Sequence, residues 1–257
     1  MIRVLARLAL VAVLALAGQR ADAQSQSVPV SPAGASGFSA SQRQEIVEIV
    51  RNALKADPTI LRDAIIALRD EEGQRQEEAS RQSISAFADQ LNHAPGDPTA
   101  GNPNGDVTLV EFYDVRCPYC RRMLPVVAEL LKRDRNIRLV YKDIPVLGPA
   151  SVIGAKALLA AQRQGGYLKL HDALMEGTPN IDQDVVKAAA QNSGLDWERL
   201  QRDMADLAIQ GRIDANVQLA HALQIAGTPA YVVGTTMLPG AVQIDELRDA
   251  VALARKR

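Results

Sequence analysis

Apolar and polar positions along this chain fall into distinct regimes. Ile46, Val47, Ile49, Val50, Ala53 and Leu54 recur at helical spacing, and Ile60, Leu61, Ala64, Ile65 and Leu68 form a second such stripe. Ser39 or Ser41 is available to cap the first helix. Asp57-Pro58 ends it and starts the next, with Asp57 as cap and Pro58 in the first turn. Two short amphipathic helices cannot bury such stripes by themselves, so both need a partner surface. From Arg69 to Gln82 the chain is almost wholly polar, but Glu71 and Arg75, and Glu77 and Arg81, stand four apart in the favourable order. A solvated helix weakened at Gly73 is predicted there. Ile84, Phe87, Ala88 and Leu91 resume an apolar face suited to docking on the main domain. The loop-like composition of His93 to Gly105 (HAPGDPTAGNPNG) places a domain boundary within it.

Beyond that loop the pattern changes. Val107, Leu109, Val110 and Phe112 read as a buried strand, residues of about 118–134 as a helix, and Ile137 to Tyr141 as a second buried strand before the turn Pro145 to Pro149. Strand, helix, strand predicts a parallel βαβ unit. A long helical region of about 150–224 follows, with breaks at Gly165-Gly166, Thr178-Pro179 and Ser193-Gly194. Ala230 to Val233 reads as strand, Thr235 to Leu238 as its hairpin partner, and Ile244 to Ala254 as a closing helix.

The N-terminus changes the picture. Arg3 and Arg7, the apolar run Leu8 to Ala17 and the small-x-small site Ala21-Asp22-Ala23 predict a secretory signal peptide over residues 1–23. Its apolar core is too short to span a bilayer comfortably. Gln24 to Ser39, rich in Ser, Ala, Gly and Pro, reads as a flexible leader. Removal of residues 1–23 leaves 26 basic against 29 acidic residues, so no basic footprint for nucleic acid remains. Export implies an oxidising compartment, in which disulfides persist.

The chain has two cysteines, Cys117 and Cys120, where the first buried strand gives way to a helix. A thiol at a helix N-terminus faces unpaired backbone N–H groups and the positive end of the helix dipole, which favour the anion. Pro118 suits the first helical position because the donor it lacks would have no partner. The thiolate is the nucleophile in disulfide exchange, and Cys-x-x-Cys settings lower a thiol pKa from ~8.5 into the range of roughly 3.5 to 7.5. Three other readings of the pair compete. A structural disulfide would close a very short loop and gain little. A zinc site needs four ligands, and His93, His171 and His221 are scattered singly. Cu(I) held by two soft thiolates is chemically reasonable.

VTLVEFYD before CPYC, RLVYKDIPVLGPAS after it, the helical insertion, and GTPAYVVG with LPG and a last helix together resemble the DsbA family of exported thiol-disulfide oxidoreductases. The resemblance covers about Asn102 to the C-terminus. It implies an α/β thioredoxin fold over residues 93–257 with an inserted helical subdomain, preceded by an α-helical extension over residues 24–92. It makes Cys117 the exposed attacking cysteine and Cys120 the resolving one, joined as a redox-active disulfide when oxidised. Pro118 and Tyr119 face substrate between them. Thr228-Pro229 matches the cis-proline loop that offers the Thr228 backbone to an extended peptide. Glu111 matches a buried acid able to relay a proton to or from Cys120; a strand residue facing solvent is the lesser, competing reading. Lys142 is a weaker candidate partner for that acid. His171, Trp197 and Met123 read as packing residues. Val115 stands where many relatives have an aromatic residue, and CPYC replaces the CPHC of the strongest oxidants, so Tyr119 supplies no imidazolium to hold a thiolate.

The stretch FSASQRQEIVEIVRNALKADPTILRDAIIAL resembles the extension of copper-sensitivity suppressor proteins and related DsbA-like isomerases of α-proteobacteria, in which it oligomerises the catalytic domains. A helical hairpin packed on its own domain is the competing reading. The resemblance implies a periplasmic disulfide isomerase or reductase acting on exported proteins with cysteines. It would be kept reduced by a DsbD-like membrane reductase, without a cofactor, and would form a homo-oligomer, a trimer rather than a dimer. The alternatives are a monomeric dithiol oxidase recycled by a DsbB-like membrane protein, and a Cu(I)-binding copper-tolerance protein.

Overall fold

The computed structural model describes residues 37–256. The predicted signal peptide and most of the leader lie outside them. Backbone packing divides the chain into two compact units, with the break between Asp63 and Ala64.

The first unit is dominated by α1 (Ala40–Ala56), which starts in a capping box: the Ser39 hydroxyl accepts from Gln42 N, and the Gln42 side chain accepts from Ser39 N. None of its residues is buried. After Asp57, whose carboxylate accepts from Thr59 N at 2.9 Å, α2 (Thr59–Ala86) begins. It runs through Gly73 without a break, supported on its solvated stretch by the Glu71–Arg75 and Glu77–Arg81 pairs.

The second unit is built on a five-stranded sheet in the order β1-β3-β2-β4-β5, comprising β1 (Thr99–Gly101), β2 (Val107–Tyr113), β3 (Ile137–Asp143), β4 (Ala230–Val233) and β5 (Thr236–Pro239). Strands β2 and β3 pair in parallel across α4 (Pro118–Arg133), and the other pairings are antiparallel. Both faces are covered, which is why β2 and β3 read as continuous apolar runs rather than alternating ones. Odd-numbered residues of these strands, including Leu109, Leu139 and Tyr141, join Tyr231 and Val233 under α4 and α10 (Ile244–Ala254). Even-numbered ones, Val110, Phe112 and Val140, join Ala230 and Val232 against Ile84, Leu91 and Leu219. Residues 93–105, expected as the domain boundary, lie inside this second unit, because Ile84 and Leu91 upstream of them already belong to its core.

Between β3 and β4 run α5 (Pro149–Gln162), α6 (Tyr167–Glu176), α7 (Gln183–Asn192), α8 (Trp197–Met204) and α9 (Leu207–Ala222). The three expected breaks are present, and a fourth separates α8 from α9, where Asp206 caps the new helix through Ala208 N. A helix absent from the prediction, α3 (Ala88–Asn92), precedes β1. Strand β1 falls where composition predicts loop; it is three residues long and pairs through its backbone with Arg138 to Val140. Gly105 explains part of the loop's composition, since a Cβ there would meet Asn136 O at 2.5 Å.

Lys142 is on the face opposite Glu111. Its Nζ donates to Gln90 O and to the Asp97 carboxylate, and Arg212 reaches the other Asp97 oxygen at 2.9 Å. The expectation that Lys142 partners Glu111 is therefore corrected: neighbouring strand positions point to opposite faces. The Lys142 and Asp97 side chains are 1% and 4% exposed, so removing one partner strands a buried charge. Asp97→Ala is expected to lower unfolding stability by about 3 to 5 kcal/mol in chemical denaturation.

Candidate active site

Strand β2 ends at Tyr113, and a turn built on Asp114 carries the chain into α4. The Asp114 carboxylate accepts from Arg116 N at 2.8 Å and Leu147 N at 3.0 Å, and its carbonyl accepts from Cys117 N at 2.9 Å. Cys117 is thereby fixed as the N-cap of α4, with Pro118 in the first turn. Its Sγ lies 3.2 Å from Thr228 O, and the Thr228-Pro229 peptide bond is cis. Both thiols are unpaired. Cys120, one turn in, has no exposed surface.

Two arginines tie this corner to the helical insertion. Arg116 donates to Leu147 O and Pro179 O. Arg121 donates to the carbonyls of Leu174, Met175, Gly177 and Thr178, satisfying the C-terminal end of α6 with a cation. Beneath them, the hydroxyls of Tyr113 and Tyr167 donate to the two oxygens of Asp143 at 2.8 and 2.9 Å, joining α6 to the sheet. Burial pushes the Asp143 carboxyl up to about 6. Gly154 of α5 packs so closely on the turn that a Cβ there would lie 2.6 Å from Val115 Cγ1.

The two sulfurs are electrostatically unlike. A hydrogen bond from Cys120 brings Cys117 down to about 5, helped by the Thr228 side chain and the N–H groups of Cys120 and Tyr119, and opposed by burial. Cys120 is held far above the usual thiol range, because it keeps the proton it shares with Cys117 and is buried. Glu111, 5% exposed, accepts from the Tyr231 hydroxyl at 2.9 Å. Burial raises its carboxyl to about 7, against the smaller opposing effects of His171 and Tyr231. Glu111 and Cys120 line one cavity of about 170 Å3.

The structure thus gathers Cys117, Pro118, Tyr119, Cys120, Thr228 and Pro229 at the start of α4, with Glu111 behind Cys120. Cys117 is less open than expected: it is 4% exposed, with the Thr228 carbonyl against its sulfur, while Tyr119 beside it is 53% exposed. Arg122 stacks its guanidinium 4.4 Å from the Tyr119 ring centre. Met123 is in the core, and Trp197 packs at its edge. Among the described residues, no group of three or more His, Cys, Asp or Glu side chains could hold a metal ion. Asp114, Arg116 and Arg121 escaped the sequence reading, although all three stand within four positions of a cysteine in DVRCPYCR.

Residues 108–252 match the family described as DSBA-like thioredoxin domain. The chain belongs to that family. A preceding stretch of this DSBA-like protein, residues 42–79, matches the copper resistance protein ScsC N-terminal domain. A thioredoxin-like oxidoreductase from Silicibacter pomeroyi DSS-3 is 44% identical, with a TM-score of 0.64 over 66% of this chain and 98% of that one. ScsC of Proteus mirabilis, in a transitional conformation, is 28% identical, with a TM-score of 0.62 over 86% and 98% of the two chains. Among curated proteins, Na(+)/H(+) antiporter NhaA 3 of Salinispora tropica is 31% identical over 160 residues, or 62% of this chain. The DSBA-like chain spans about a quarter of the length of the first curated relatives it matches. Its fold is a thioredoxin fold with a helical insertion, shared with the solved ScsC and DsbA-like structures it resembles.

Two outcomes are expected. The thiolate absorbance of the reduced protein titrates near pH 5, and moves upward in Cys120→Ala, which removes the main donor. A depressed thiol stabilises the reduced fold above its unfolded pKa, so this contribution is lost as pH falls from about 8.5 through 5. Glu111 has the opposite sign: its raised carboxyl costs stability increasingly as pH rises from 4.5 through 7. Glu111→Gln should therefore gain about 3 kcal/mol relative to wild type between denaturation at pH 4 and at pH 8.

Proposed function

We propose that this protein is a periplasmic disulfide isomerase or reductase that acts on exported proteins through its CPYC site as a homo-oligomer, a trimer rather than a dimer. The observation that carries this reading is the uncovered apolar surface of residues 46–68. Ile46, Val47, Ile49, Val50 and Leu54 on α1 are 38% to 60% exposed, as are Ile60, Leu61, Ile65 and Leu68 on α2. Large apolar side chains left exposed in such number along two helices mark an association site. Association of several copies would place several Cys117 thiolates near one client, raising the effective concentration of a second attack.

In the chemistry proposed, the Cys117 thiolate attacks a client disulfide. A mixed disulfide forms, and a client thiolate leaves. In isomerisation that thiolate attacks another client disulfide, and Cys117 is finally displaced unchanged. In reduction Cys120 loses its proton to Glu111 and attacks Cys117 Sγ. The client departs with two electrons and takes a proton from solvent, leaving the Cys117–Cys120 disulfide. A DsbD-like membrane reductase would return the electrons.

A second reading has a specific support. The low Cys117 pKa stabilises the reduced enzyme relative to its disulfide, which favours a dithiol oxidase recycled by a DsbB-like partner. The deciding experiment pairs light scattering with reactivation of scrambled ribonuclease in a redox buffer, on the mature protein and on Ile49→Glu/Leu61→Glu. The isomerase reading expects an oligomer that reactivates ribonuclease. It also expects the charged variant to be monomeric and about tenfold or more slower, with its Cys117 titration intact. A monomeric parent, or a monomeric variant of equal activity, favours the oxidase.

A further inference from the structure

His171 reads from sequence as a packing histidine, and the structure gives it an incomplete environment for that role. It is 1% exposed on α6. Its Nδ1 is 3.0 Å from Asp172 Oδ1, but its Nε2 is buried with no hydrogen-bond partner. An unmet ring nitrogen in an apolar setting costs free energy unless something occupies it. His171 also lines the cavity of about 170 Å3 that Glu111, Cys120 and Asp172 line. A water needs roughly 10 to 15 Å3 of such space and two or more polar partners, so the cavity can hold a short chain of waters.

Every group around the ring bears on its charge. From β2 come Glu111 and Tyr113, and from β3 come Tyr141 and Asp143. From α4 comes Cys120, which lines the same cavity, and α6 itself supplies Tyr167 and Asp172. The tyrosines are held neutral by burial, their pKa values raised well above the usual range. The groups able to bear charge around the ring are thus carboxylates and the Cys120 thiol. Asp172 is 60% exposed at its side chain and connects the inner nitrogen network to solvent.

We propose that His171 is the proton outlet of the active site. It takes the proton that Cys120 gives to Glu111 and passes it to solvent by way of Asp172. Resting on the role proposed above for Glu111, the sequence balances as follows. Cys120 S–H gives its proton to the Glu111 carboxylate, and the sulfur forms the bond to Cys117 Sγ as the client thiolate leaves. The Glu111 proton crosses cavity water to Nε2, while the Nδ1 proton goes to the Asp172 carboxylate and then to bulk water. The ring returns to neutrality with its tautomer exchanged, and a ring flip or the reverse relay resets it. No net charge remains in the core. The reverse order supplies a proton to Cys120 when a client is oxidised. His171 acts through Glu111 and touches neither sulfur.

The test is rapid-quench mass spectrometry of the reduced full chain mixed with oxidised glutathione from pH 5 to 9. It follows formation and then decay of the Cys117 glutathione adduct. In His171→Gln the decay is expected to slow about tenfold below pH 7, with adduct formation and the Cys117 thiolate titration unchanged. Asp172→Asn, at the surface and able to keep the hydrogen bond, should shift the decay profile in the same direction by a smaller factor. It carries the test should His171→Gln fail to fold. Decay at the wild-type rate in both variants across this range, with Glu111→Gln slowed, overturns the outlet and leaves the role of Glu111 standing. Glu111→Gln at the wild-type rate overturns that role and the outlet with it. Slowing of both steps together with a shifted Cys117 titration assigns His171 to packing and overturns the proposal.

Discussion

The hydrogen bond between two sulfurs one helical turn apart governs the chemistry of this molecule. Cys117 can carry negative charge near pH 5 because Cys120 keeps a proton and points it at the anion. The helix start and the Thr228 loop add to that, but each is secondary. In the proposed function this arrangement divides labour between chemically identical groups: one thiol is the attacker at the rim, and the other stays in the core until its proton is taken. Everything that fixes the relative position of the two sulfurs therefore tunes the reactivity of both. The Asp114 turn, Pro118 and the arginines that pin α4 against the insertion all serve that end.

Burial sets the second constraint. A thiol enclosed as Cys120 is cannot lose its proton to bulk water directly, so a base must be enclosed with it. Glu111 is the group proposed for this need, because burial lifts its carboxyl to about 7, where it can both take and release a proton. The cost is a core that grows less stable as pH rises past that value. Tyr231 offsets part of it by donating to the carboxylate.

Much of the fold was legible in the sequence where both faces of an element are buried or a stripe is strictly periodic. Strand β2, helix α4, strand β4 and helix α10 run where the apolar pattern puts them. Strand β1 was not legible, since Thr99-Ala100-Gly101 joins the sheet through backbone alone and offers no alternation. The break between α8 and α9 lacks glycine or proline and is marked only by the Asp206 cap. Of the site, the cysteines and the Thr228-Pro229 loop were visible as motifs, and Glu111 through family resemblance. Lys142, a weaker candidate partner for Glu111, lies on the opposite face, because Glu111 pairs with Tyr141 and strand positions alternate. Asp114, Arg116 and Arg121 act through turn and carbonyl contacts over 31 to 63 residues of sequence, which no local pattern encodes.

The contact of Gly154 with Val115 makes two distant positions a single steric unit. Val115 stands two residues before Cys117, and Gly154 lies in a helix of the insertion. Volume added at either must be taken from the other, or the turn that presents Cys117 shifts. The shape of the entrance to the sulfur can thus be altered by a substitution in α5, whose residues carry no chemistry of their own. Diversification of client preference in such a scaffold has a route through paired changes at these two sites that leaves the cysteines and the acid behind them untouched.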